Sequence, residues 1–339
     1  MAVCLSASLS QARAVSPTTV QPPYHLMQKF PLGGTQRWDY LTLDSSTRRL
    51  YITRATQVVV LNVDTGTVVG KIAGTPGVHG VALAPELGRG FTSNGAAGTA
   101  TIFDLKTLKV LGEVKTGNDP DAIVYDSFSQ KVFTFNGKSN DATVFDAHNG
   151  KVLGTLPLGG TPEFAVTNKA GQVYVNIEDT NEVLTLDVKQ LTISKRVALK
   201  PCQQPTGIAS DRQHHRLFIG CRNQMMAVVD ADSGQIKATL PIGKRVDATA
   251  FDPVTGLAFS SNGEGTLTVI HEDSPDKFMV VGTVVTQPGA RTMALDERSH
   301  RVFLAAAKFE SSPSPESRPP TRRPNVVPDS FVILVFGLH

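Results

Sequence analysis

An internal repeat constrains the fold of this chain more than any other feature. Seven short apolar runs, most of which end in Asp, recur at residues 38–44, 78–84, 120–126, 162–168, 205–211, 246–252 and 290–296. The second residues of successive runs are 40, 42, 42, 43, 41 and 44 positions apart. Such a regular spacing indicates an array of structural units that bury their apolar faces against one another.

Each repeat contains four short segments with the character of β-strands. A polar turn follows the first run and leads to a second segment such as RLYITR, KVFTFN or RVFLAA. Turns rich in Gly, Asn and Asp then lead to a third segment such as ATVFDA and a fourth such as KVLGTLPLG. Four such strands are typical of one propeller blade, and helical periodicity is absent. The repeat therefore predicts an all-β, seven-bladed β-propeller with four antiparallel strands in each blade.

The seventh repeat lacks one strand, and the N-terminus supplies a candidate for it. After RVFLAAA only the segment FVILVFG, residues 331–337, has strand character. The segment HLMQKFPLGG at residues 25–34 resembles the fourth strands KVLGTLPLGG and QIKATLPIG. We therefore expect an N-terminal strand to close the last blade, which also covers an apolar sheet edge.

The second segments carry a motif that gives a known family its name. They end in YITR, FTSN, FTFN, YVNI, FIGC, FSSN and FLAA, and residues 25–337 resemble the YVTN-repeat, YncE-like β-propellers in this respect. The resemblance implies the propeller fold and an exported or periplasmic protein. It does not imply one activity, because propellers host unrelated functions. The streptogramin lyases, a related group of propellers, carry out a metal-assisted elimination.

Two features favour export. Residues 2–14 form a small, weakly apolar stretch that ends in Ala-Arg-Ala and resembles a signal-peptide cleavage site. We interpret residues 1–22 as a signal-like or disordered segment and residues 23–339 as a single propeller. Cys4 would leave with the first segment, and the remaining Cys202 and Cys221 lie at neighbouring strand ends, so we predict a disulfide. A periplasmic or secreted location follows from this interpretation.

Composition argues against several classes of partner. The chain has 33 basic and 30 acidic residues, a formal net charge of +3, which is too small to indicate nucleic acid or an anionic membrane. No apolar run reaches the roughly 18 residues of a membrane-spanning helix. We expect a monomer that binds a small molecule or a protein.

The second residues of the seven runs form the candidate site, because the inner strands of a propeller begin at one mouth of the central channel. We call them the ring residues: Asp39, His79, Asp121, Glu163, Thr206, Asp247 and Arg291. They include four carboxylates and one arginine, a net charge of −3 with His79 neutral, in a chain whose total is +3. This reversal of sign predicts an acidic channel mouth.

Two interpretations of this ring stay open. In the first, a wet channel mouth tolerates charge, and Arg291 offsets its neighbours Asp39 and Asp247. In the second, Asp39, His79, Asp121 and Glu163 bind a cation, a cationic ligand or a polyol, because crowded carboxylates call for a counter-charge. A divalent metal suits one His beside carboxylates, although a single His is a weak signal. The cofactor is otherwise unknown.

A catalytic alternative uses the same residues. His79 would act as a general base, with Asp39, Asp121 and Glu163 orienting it or holding a metal, in a lyase or hydrolase reaction. A His79 hydrogen-bonded to a carboxylate, with its other nitrogen facing open space, would favour this alternative.

The turns between second and third strands contribute further residues to the same mouth. Arg54 and Arg222 could pair with the ring acids or bind a ligand carboxylate. We attribute the Asn-Gly pairs at 94–95, 136–137 and 262–263 to tight turns that require a positive φ. We expect Trp38, the only Trp, to pack between blades.

A long insertion and many repeated polar residues complete the pattern. Residues 308–330 are rich in Pro, Ser and Arg. This composition predicts either a solvated loop or a lid over the channel mouth, in which Arg318, Arg322 and Arg323 would offset the negative charge of the ring residues. We interpret the strand-ending acids, Asp211 among them, as turn residues. We also place His214 and the other turn histidines outside any metal site.

Overall fold

Seven four-stranded antiparallel sheets form the protein, which we describe from a computed structural model covering residues 24–310 and 324–338. A single short 3₁₀ helix, Pro85–Leu87, interrupts the strands of this part of the chain. None of the described residues forms a helix long and apolar enough to cross a membrane. The predicted all-β, seven-bladed fold is confirmed.

The first four blades follow the chain in order, with the inner strand first in each. Blade 1 consists of β2 (Leu41–Asp44), β3 (Arg49–Arg54), β4 (Gln57–Asn62) and β5 (Val68–Ala73). Blade 2 consists of β6 (Val78–Ala84), β7 (Arg89–Asn94), β8 (Thr99–Asp104) and β9 (Val110–Lys115). Blade 3 consists of β10 (Pro120–Asp126), β11 (Lys131–Asn136), β12 (Asp141–Asp146) and β13 (Val152–Pro157). Blade 4 consists of β14 (Pro162–Thr167), β15 (Gln172–Ile177), β16 (Glu182–Asp187) and β17 (Thr192–Ala198).

The last three blades include the one that both chain ends build. Blade 5 consists of β18 (Pro205–Asp211), β19 (Arg216–Cys221), β20 (Met225–Asp230) and β21 (Ile236–Pro241). Blade 6 consists of β22 (Val246–Asp252), β23 (Leu257–Asn262), β24 (Thr266–Ser274) and β25 (Lys277–Val285). Blade 7 consists of β26 (Thr292–Asp296), β27 (Arg301–Ala306), β28 (Val332–Leu338) and β1 (Tyr24–Pro31).

The blades close into a ring. Their inner strands contact one another in the order β2, β6, β10, β14, β18, β22 and β26, and β26 contacts β2. Seven apolar clusters, one for each interface between neighbouring blades, make up the core. The third residue of every second strand is a buried aromatic: Tyr51, Phe91, Phe133, Tyr174, Phe218, Phe259 and Phe303. Because the core lies between blades, each blade depends on both of its neighbours.

The N-terminal strand completes blade 7, as the sequence predicts. β1 pairs with β28 from Tyr24↔Leu338 to Pro31↔Val332, with one irregularity between Leu26 and Gln28. The side chains of Tyr24 and Phe30 are buried, and Tyr24 Oη donates a hydrogen bond to the His300 carbonyl at 2.7 Å. The predicted signal-like segment, residues 1–22, lies outside the described residues.

The predicted disulfide joins Cys202, in the loop before β18, to Cys221 at the end of β19, with the Cα atoms 5.5 Å apart. Both cysteines are buried in the interface between blades 4 and 5. The bond therefore ties a loop at the channel mouth to the second strand.

Replacing both cysteines by Ala should lower the free energy of unfolding by about 3 kcal/mol, because the bond closes a loop of 19 residues in the unfolded chain. Urea unfolding of the oxidised wild type and the double variant measures this difference. Reductant should lower the wild-type stability and leave the variant unchanged. Equal stability of the two oxidised proteins would contradict the prediction.

Candidate functional site

In five blades the ring residue is the first of two residues in a β-bulge. The inner and second strands lose register between the first and fourth inner-strand residues, so that two residues stand opposite one. The bulges begin at His79, Asp121, Glu163, Thr206 and Asp247. A bulge changes the direction of its side chains. The strand ends therefore depart from regular alternation where they meet the channel.

Polar side chains of the second strands hold the backbone of the ring. Each donates a hydrogen bond to the carbonyl of a ring residue in the next blade. These bonds run from Ser93 Oγ to Asp121, from Asn176 Nδ2 to Thr206 and from Ser261 Oγ to Arg291. The backbone of these three ring residues is thus fixed by the preceding blade.

His79 lies at the centre of an acidic cluster. Its Nδ1 atom is 2.7 Å from Asp39 Oδ2 and 3.5 Å from Asp121 Oδ1, and its Nε2 atom is 3.8 Å from Asp119 Oδ1. The side chain is 31% exposed. The ring residues of blades 1, 2 and 3 therefore form one interacting group, with Asp119 added from the preceding loop.

The acids around His79 favour its protonated form. Burial alone would lower the pKa of the imidazole, but the hydrogen bond to Asp39 and the charges of Asp121, Asp39 and Asp119 raise the pKa to about 9. His79 is therefore mainly a cation at neutral pH. This pKa favours an acid role for His79 over the general-base role predicted from the sequence, because a protonated imidazole donates a proton rather than accepting one.

The environment of Asp121 favours the neutral form of its carboxyl group. Burial in the channel wall raises the pKa of its carboxyl, the charge of Asp39 raises it further, and the charge of His79 only partly offsets this, so that the pKa is about 7. The carboxyl is therefore poised between its two protonation states at neutral pH. The cluster contains both a cationic acid and a carboxyl group that can take up a proton.

Glu163 belongs to a second acidic group that includes an arginine. Burial raises the pKa of Glu163 well above its ordinary value, and the charge of Asp121 and a hydrogen bond to Glu178 add to the effect. Arg222 forms a close ion pair with Glu178, and its Nη2 atom is 3.8 Å from Glu163 Oε1. Of the two roles considered for Arg222, pairing with the acids of the mouth is the one observed.

An aromatic pair crosses the channel below the charged residues. Tyr40 follows Asp39 in blade 1, Phe164 follows Glu163 in blade 4, and their ring centroids are 4.3 Å apart. Blades 1 and 4 stand on opposite sides of a seven-membered ring, so this contact bridges the axis. Burial and the charges of Asp121 and Glu163 raise the pKa of Tyr40. An aromatic contact therefore lies directly beside the charged ring residues Asp39 and Glu163.

Two of the predicted binding residues are not available at the mouth. Arg54 is only 3% exposed, and its guanidinium carbon lies 3.8 Å from the centroid of the Phe331 ring. It donates hydrogen bonds to Gly33 and Gln36, and burial lowers its pKa to about 10. Thr206 is fully buried and its hydroxyl donates to backbone carbonyls. Both residues support the fold, which corrects their assignment as ligand-binding residues.

The Asn-Gly turns also have another physical basis than the predicted one. Gly95, Gly137 and Gly263 do not have a positive φ, and that conformation falls later in each turn, at Gly98, Asn140 and Gly265. The Asn side chains instead bridge to threonines of the third strand, as Asn94 Nδ2 does to Thr101 Oγ1 at 2.8 Å. A Cβ atom at Gly95 would lie 2.6 Å from His79 Nε2. Glycine is required there because the turn approaches the site closely.

An open cavity of about 600 Å³ occupies the part of the mouth between blades 5, 6, 7 and 1. Four arginines line it, Arg37, Arg222, Arg245 and Arg291, against a single acid, Asp247. Arg291 Nε is 3.7 Å from Asp247 Oδ2, and the Arg291 side chain is 41% exposed. The mouth is therefore acidic around His79 and basic around Arg291, which corrects the expectation of a uniformly acidic mouth.

Aromatic side chains form one wall of this cavity. Trp38 and Phe309 both line it, with ring centroids 5.9 Å apart and nearly parallel planes. Trp38 also packs on Phe331 at 5.0 Å. Trp38 packs against the apolar cluster between blades 7 and 1, which confirms the predicted packing between blades, and the same side chain also lines the cavity.

The ends of the insertion at 308–330 stand beside the cavity. Phe309 forms an isolated β-bridge with Val326, and Arg37 donates a hydrogen bond to the Pro324 carbonyl at 2.6 Å. Phe309 and Pro324 are lining residues. The predicted lid arginines, Arg318, Arg322 and Arg323, lie outside the described residues.

Sequence reasoning missed several residues of the mouth. Asp119, Arg37, Arg245 and Phe309 lie outside the named strands, where the repeat pattern carries no information about side-chain direction. One signal is that Asp119 and Arg245 occupy equivalent positions just before inner strands. Both have a positive φ, near 58° and 59°, which is uncommon for Arg and draws attention to the position.

Comparison with known proteins supports the fold only. No family model matches the sequence, and no curated protein matches it. A solved structure of Kuenenia stuttgartiensis hydrazine synthase is similar, with a TM-score of 0.70 at 12% identity over 80% of this chain and 92% of that chain. At this level of identity, the likeness shows a shared propeller architecture and nothing about activity.

Proposed function

We propose that the protein is an exported propeller that binds a small organic anion in the cavity at the channel mouth. The observation that carries the proposal is the lining of the cavity, which includes four arginines, a single acid and two aromatic rings. Arg222 is paired with Glu178, which lies outside the lining, and the other three arginines give the cavity its basic character. A volume of about 600 Å³ is in the range of small-molecule sites. The ligand class is a carboxylate, or a similar anion, attached to an aromatic or other flat apolar body.

The cavity would recognise the ligand through two kinds of contact, ionic hydrogen bonds and apolar stacking. The guanidinium groups of Arg245 and Arg291 offer planar donors suited to a carboxylate. Trp38 and Phe309 offer a stacking surface for a ring. The neighbouring cluster of His79, Asp39 and Asp121 would contact a polar extension of the ligand.

The location and kinship are part of the same proposal. A disulfide between Cys202 and Cys221 is usual in oxidising compartments, which supports a periplasmic or secreted protein. The repeat motif supports kinship with the YVTN-repeat, YncE-like propellers.

Benzoate should quench the fluorescence of Trp38 in a saturable manner, whereas benzamide should bind more weakly and benzylammonium should not bind. The reason is that the three probes share a ring and differ in charge, and the cavity is basic. Trp38 is the only Trp in the chain, so the signal reports this cavity directly. Equal responses to the three probes would contradict the proposal.

Arg291→Gln should weaken benzoate binding about tenfold, the effect of losing a charge-assisted hydrogen bond. Arg212→Gln is the matched control, because Arg212 is exposed in a turn at the opposite end of blade 5. Thermal unfolding of both variants verifies that they are folded. Unchanged benzoate affinity in Arg291→Gln would show that the cavity is not the binding site.

Acid–base catalysis at the acidic cluster is a second candidate function. Its support is the 2.7 Å contact between His79 Nδ1 and Asp39 Oδ2, with Nε2 turned away from it. In this reaction, a lyase or hydrolase step, His79 would donate a proton and Asp121 would accept one. A divalent cation held by Asp39, His79 and Asp121, whose ligand atoms lie within 4.8 Å of one another, is the metal-assisted form. An NMR titration in which His79 shows its ordinary pKa would remove this candidate.

A further inference from the structure

A second group of metal-ligating side chains lies at the opposite end of the propeller. Asp211 ends the inner strand of blade 5, His214 follows in the turn, and Glu272 comes from β24 of blade 6. Asp211 is five strand residues from Thr206, about 17 Å along the strand. The group is therefore independent of the channel mouth, and it spans two blades.

The three side chains lie close together, but several of their polar atoms have no hydrogen-bond partner in the described part of the chain. His214 Nδ1 is 2.7 Å from Asp211 Oδ2 and 3.3 Å from Glu272 Oε1, and one ligand atom from each residue lies within 4.8 Å of the others. Yet His214 Nδ1 and both carboxylate oxygens of Glu272 are buried and make no well-formed hydrogen bond with any described residue. The Asp211 and Glu272 side chains are each only 2% exposed. Asp211 accepts hydrogen bonds from the backbone N–H groups of Gln213 and His214. Glu272 has no comparable partner among the described residues, and a buried carboxylate without one is costly.

Equivalent positions in other blades show what this interface lacks. The strand-ending acid of a blade usually receives a donor from the next blade. These donors are Thr167 Oγ1 to Asp126 at 2.5 Å, His300 Nδ1 to Asp252 at 2.6 Å and Arg48 Nη1 to Asp296 at 2.5 Å. At the interface of blades 5 and 6 the incoming side chain is Glu272, another carboxylate. A cation is therefore missing where the other interfaces have a donor.

The nearest arginine does not supply that cation by direct contact. Arg216 donates hydrogen bonds to Asp230 Oδ2 at 2.7 Å and to the carbonyls of His214 and Pro275. Glu272 therefore has no described partner closer than His214 Nδ1, which is 3.3 Å from its Oε1 atom.

We propose that Asp211, His214 and Glu272 bind a divalent transition-metal ion that joins blades 5 and 6. One imidazole nitrogen and two carboxylates suit Zn²⁺ or Mn²⁺. The His214 side chain is 36% exposed, which leaves room for water to complete the coordination. A metal would widen the separation of His214 Nδ1 and Asp211 Oδ2 by roughly 0.6 Å, to that of two ligands of one tetrahedral ion. The strand-ending Asp211 and the turn residue His214 then have a role beyond the turn.

The metal would fasten the longest hairpin of the propeller. β24 and β25 each have nine residues, whereas their counterparts in blades 1, 2 and 3 have six. Glu272 lies in the extended part of this hairpin. The ion would therefore fix the extension to the turn of blade 5 and raise the stability of the interface.

Zinc titration of chelator-treated full-length protein tests the proposal. Wild type should bind Zn²⁺ and gain thermal stability, and Glu272→Gln and His214→Gln should each weaken binding at this site at least tenfold. His215→Gln is the matched control, because His215 makes one exposed contact with Asp232, at 2.6 Å, without a third ligand. Crystals soaked in Zn²⁺ should show anomalous scattering between Asp211 and Glu272, which separates this site from the cluster around His79.

Three results would overturn the proposal. The first is zinc affinity in Glu272→Gln and His214→Gln equal to that of wild type. The second is anomalous scattering only at the channel mouth. The third is absence of zinc binding by wild type together with a higher melting temperature of Glu272→Gln at pH 8, which would show that a shared proton holds the two carboxyl groups.

Discussion

Replacing Tyr24 and Phe30 together by Ala should remove most of the stability of the propeller. Both side chains are buried, Tyr24 packs edge-on against Phe259 with centroids 4.9 Å apart, and Phe30 packs against Gly66 of blade 1. Each truncation costs about 3 to 5 kcal/mol, and the total approaches the stability of a typical domain. Loss of β1 would also expose β28 as an apolar edge strand, so the variant should aggregate.

The matched control uses exposed positions of the same strand. Leu26 and Met27 are exposed, so Leu26→Ala with Met27→Ala should lower the melting temperature far less. Thermal unfolding and size-exclusion chromatography compare the two double variants. Equal melting temperatures would show that β1 is not needed to close the ring.

A separate peptide should replace the missing strand. A chain that starts at residue 32 should be unstable alone and should be stabilised by a peptide of residues 24–34, because strand addition restores both the hydrogen bonds and the apolar contacts. The same peptide with Phe30→Ala should be much less effective. These results would attribute the effect to closure of blade 7.

The architecture could be predicted because every blade repeats the same physical requirement. An aromatic residue at the third position of each second strand, from Tyr51 to Phe303, must be buried against the next blade. The interval between repeats then gives the number of blades. The N-terminal strand was predictable for the same reason, since its sequence matches the fourth strands of other blades.

The charged residues of the site were predictable from the sequence, but their pKa values were not. The repeat identifies Asp39, His79 and Asp121 as neighbours, which the distances bear out. The sequence contains no information on the pKa of His79 or Asp121, because those depend on burial and on distances set by bulges. The distribution of charge at the mouth also depends on loop residues such as Arg245, whose side-chain direction follows from the local backbone conformation.

The two errors about binding residues have one cause. Arg54 and Thr206 occupy the expected positions along their strands, but a position near a strand end does not determine which way the side chain points. Arg54 turns onto Phe331, and Thr206 turns into the interface with blade 6. A repeat therefore predicts well which residues lie near the channel. It predicts less well which of their side chains point into the channel.

The stability of the propeller should fall as pH rises from about 4 to about 9. Asp121 has a pKa of about 7 in the folded protein and about 3.9 when unfolded, so the folded state binds more protons between these values and loses stability as pH rises. His79 has a pKa of about 9 in the folded protein and about 6.5 when unfolded, so its contribution is complete below pH 6.5 and is lost through pH 9.

Asp121→Asn should therefore be more stable than wild type at pH 8, by about 2 to 4 kcal/mol. The upper figure corresponds to the full shift of the pKa of Asp121, and the coupling to His79 reduces it. At pH 4 the two proteins should be equally stable, because the wild-type carboxyl is then protonated in the folded state. Urea unfolding across this pH range measures both differences.

Asp119→Asn is the control for the loss of one negative charge at the mouth. Asp119 is partly exposed and pairs at 3.1 Å with the exposed Lys138, so its replacement should change stability by less than about 1 kcal/mol at any pH. His79→Gln should behave differently from both, with a loss of stability at pH 6 that shrinks above pH 9. If Asp121→Asn were no more stable than wild type at pH 8, ionisation of the partly buried Asp121 carboxyl would not destabilise the folded protein. The acid–base pair at the mouth would then lose its physical basis, because a carboxyl that ionises freely beside Asp39 cannot hold a proton at neutral pH.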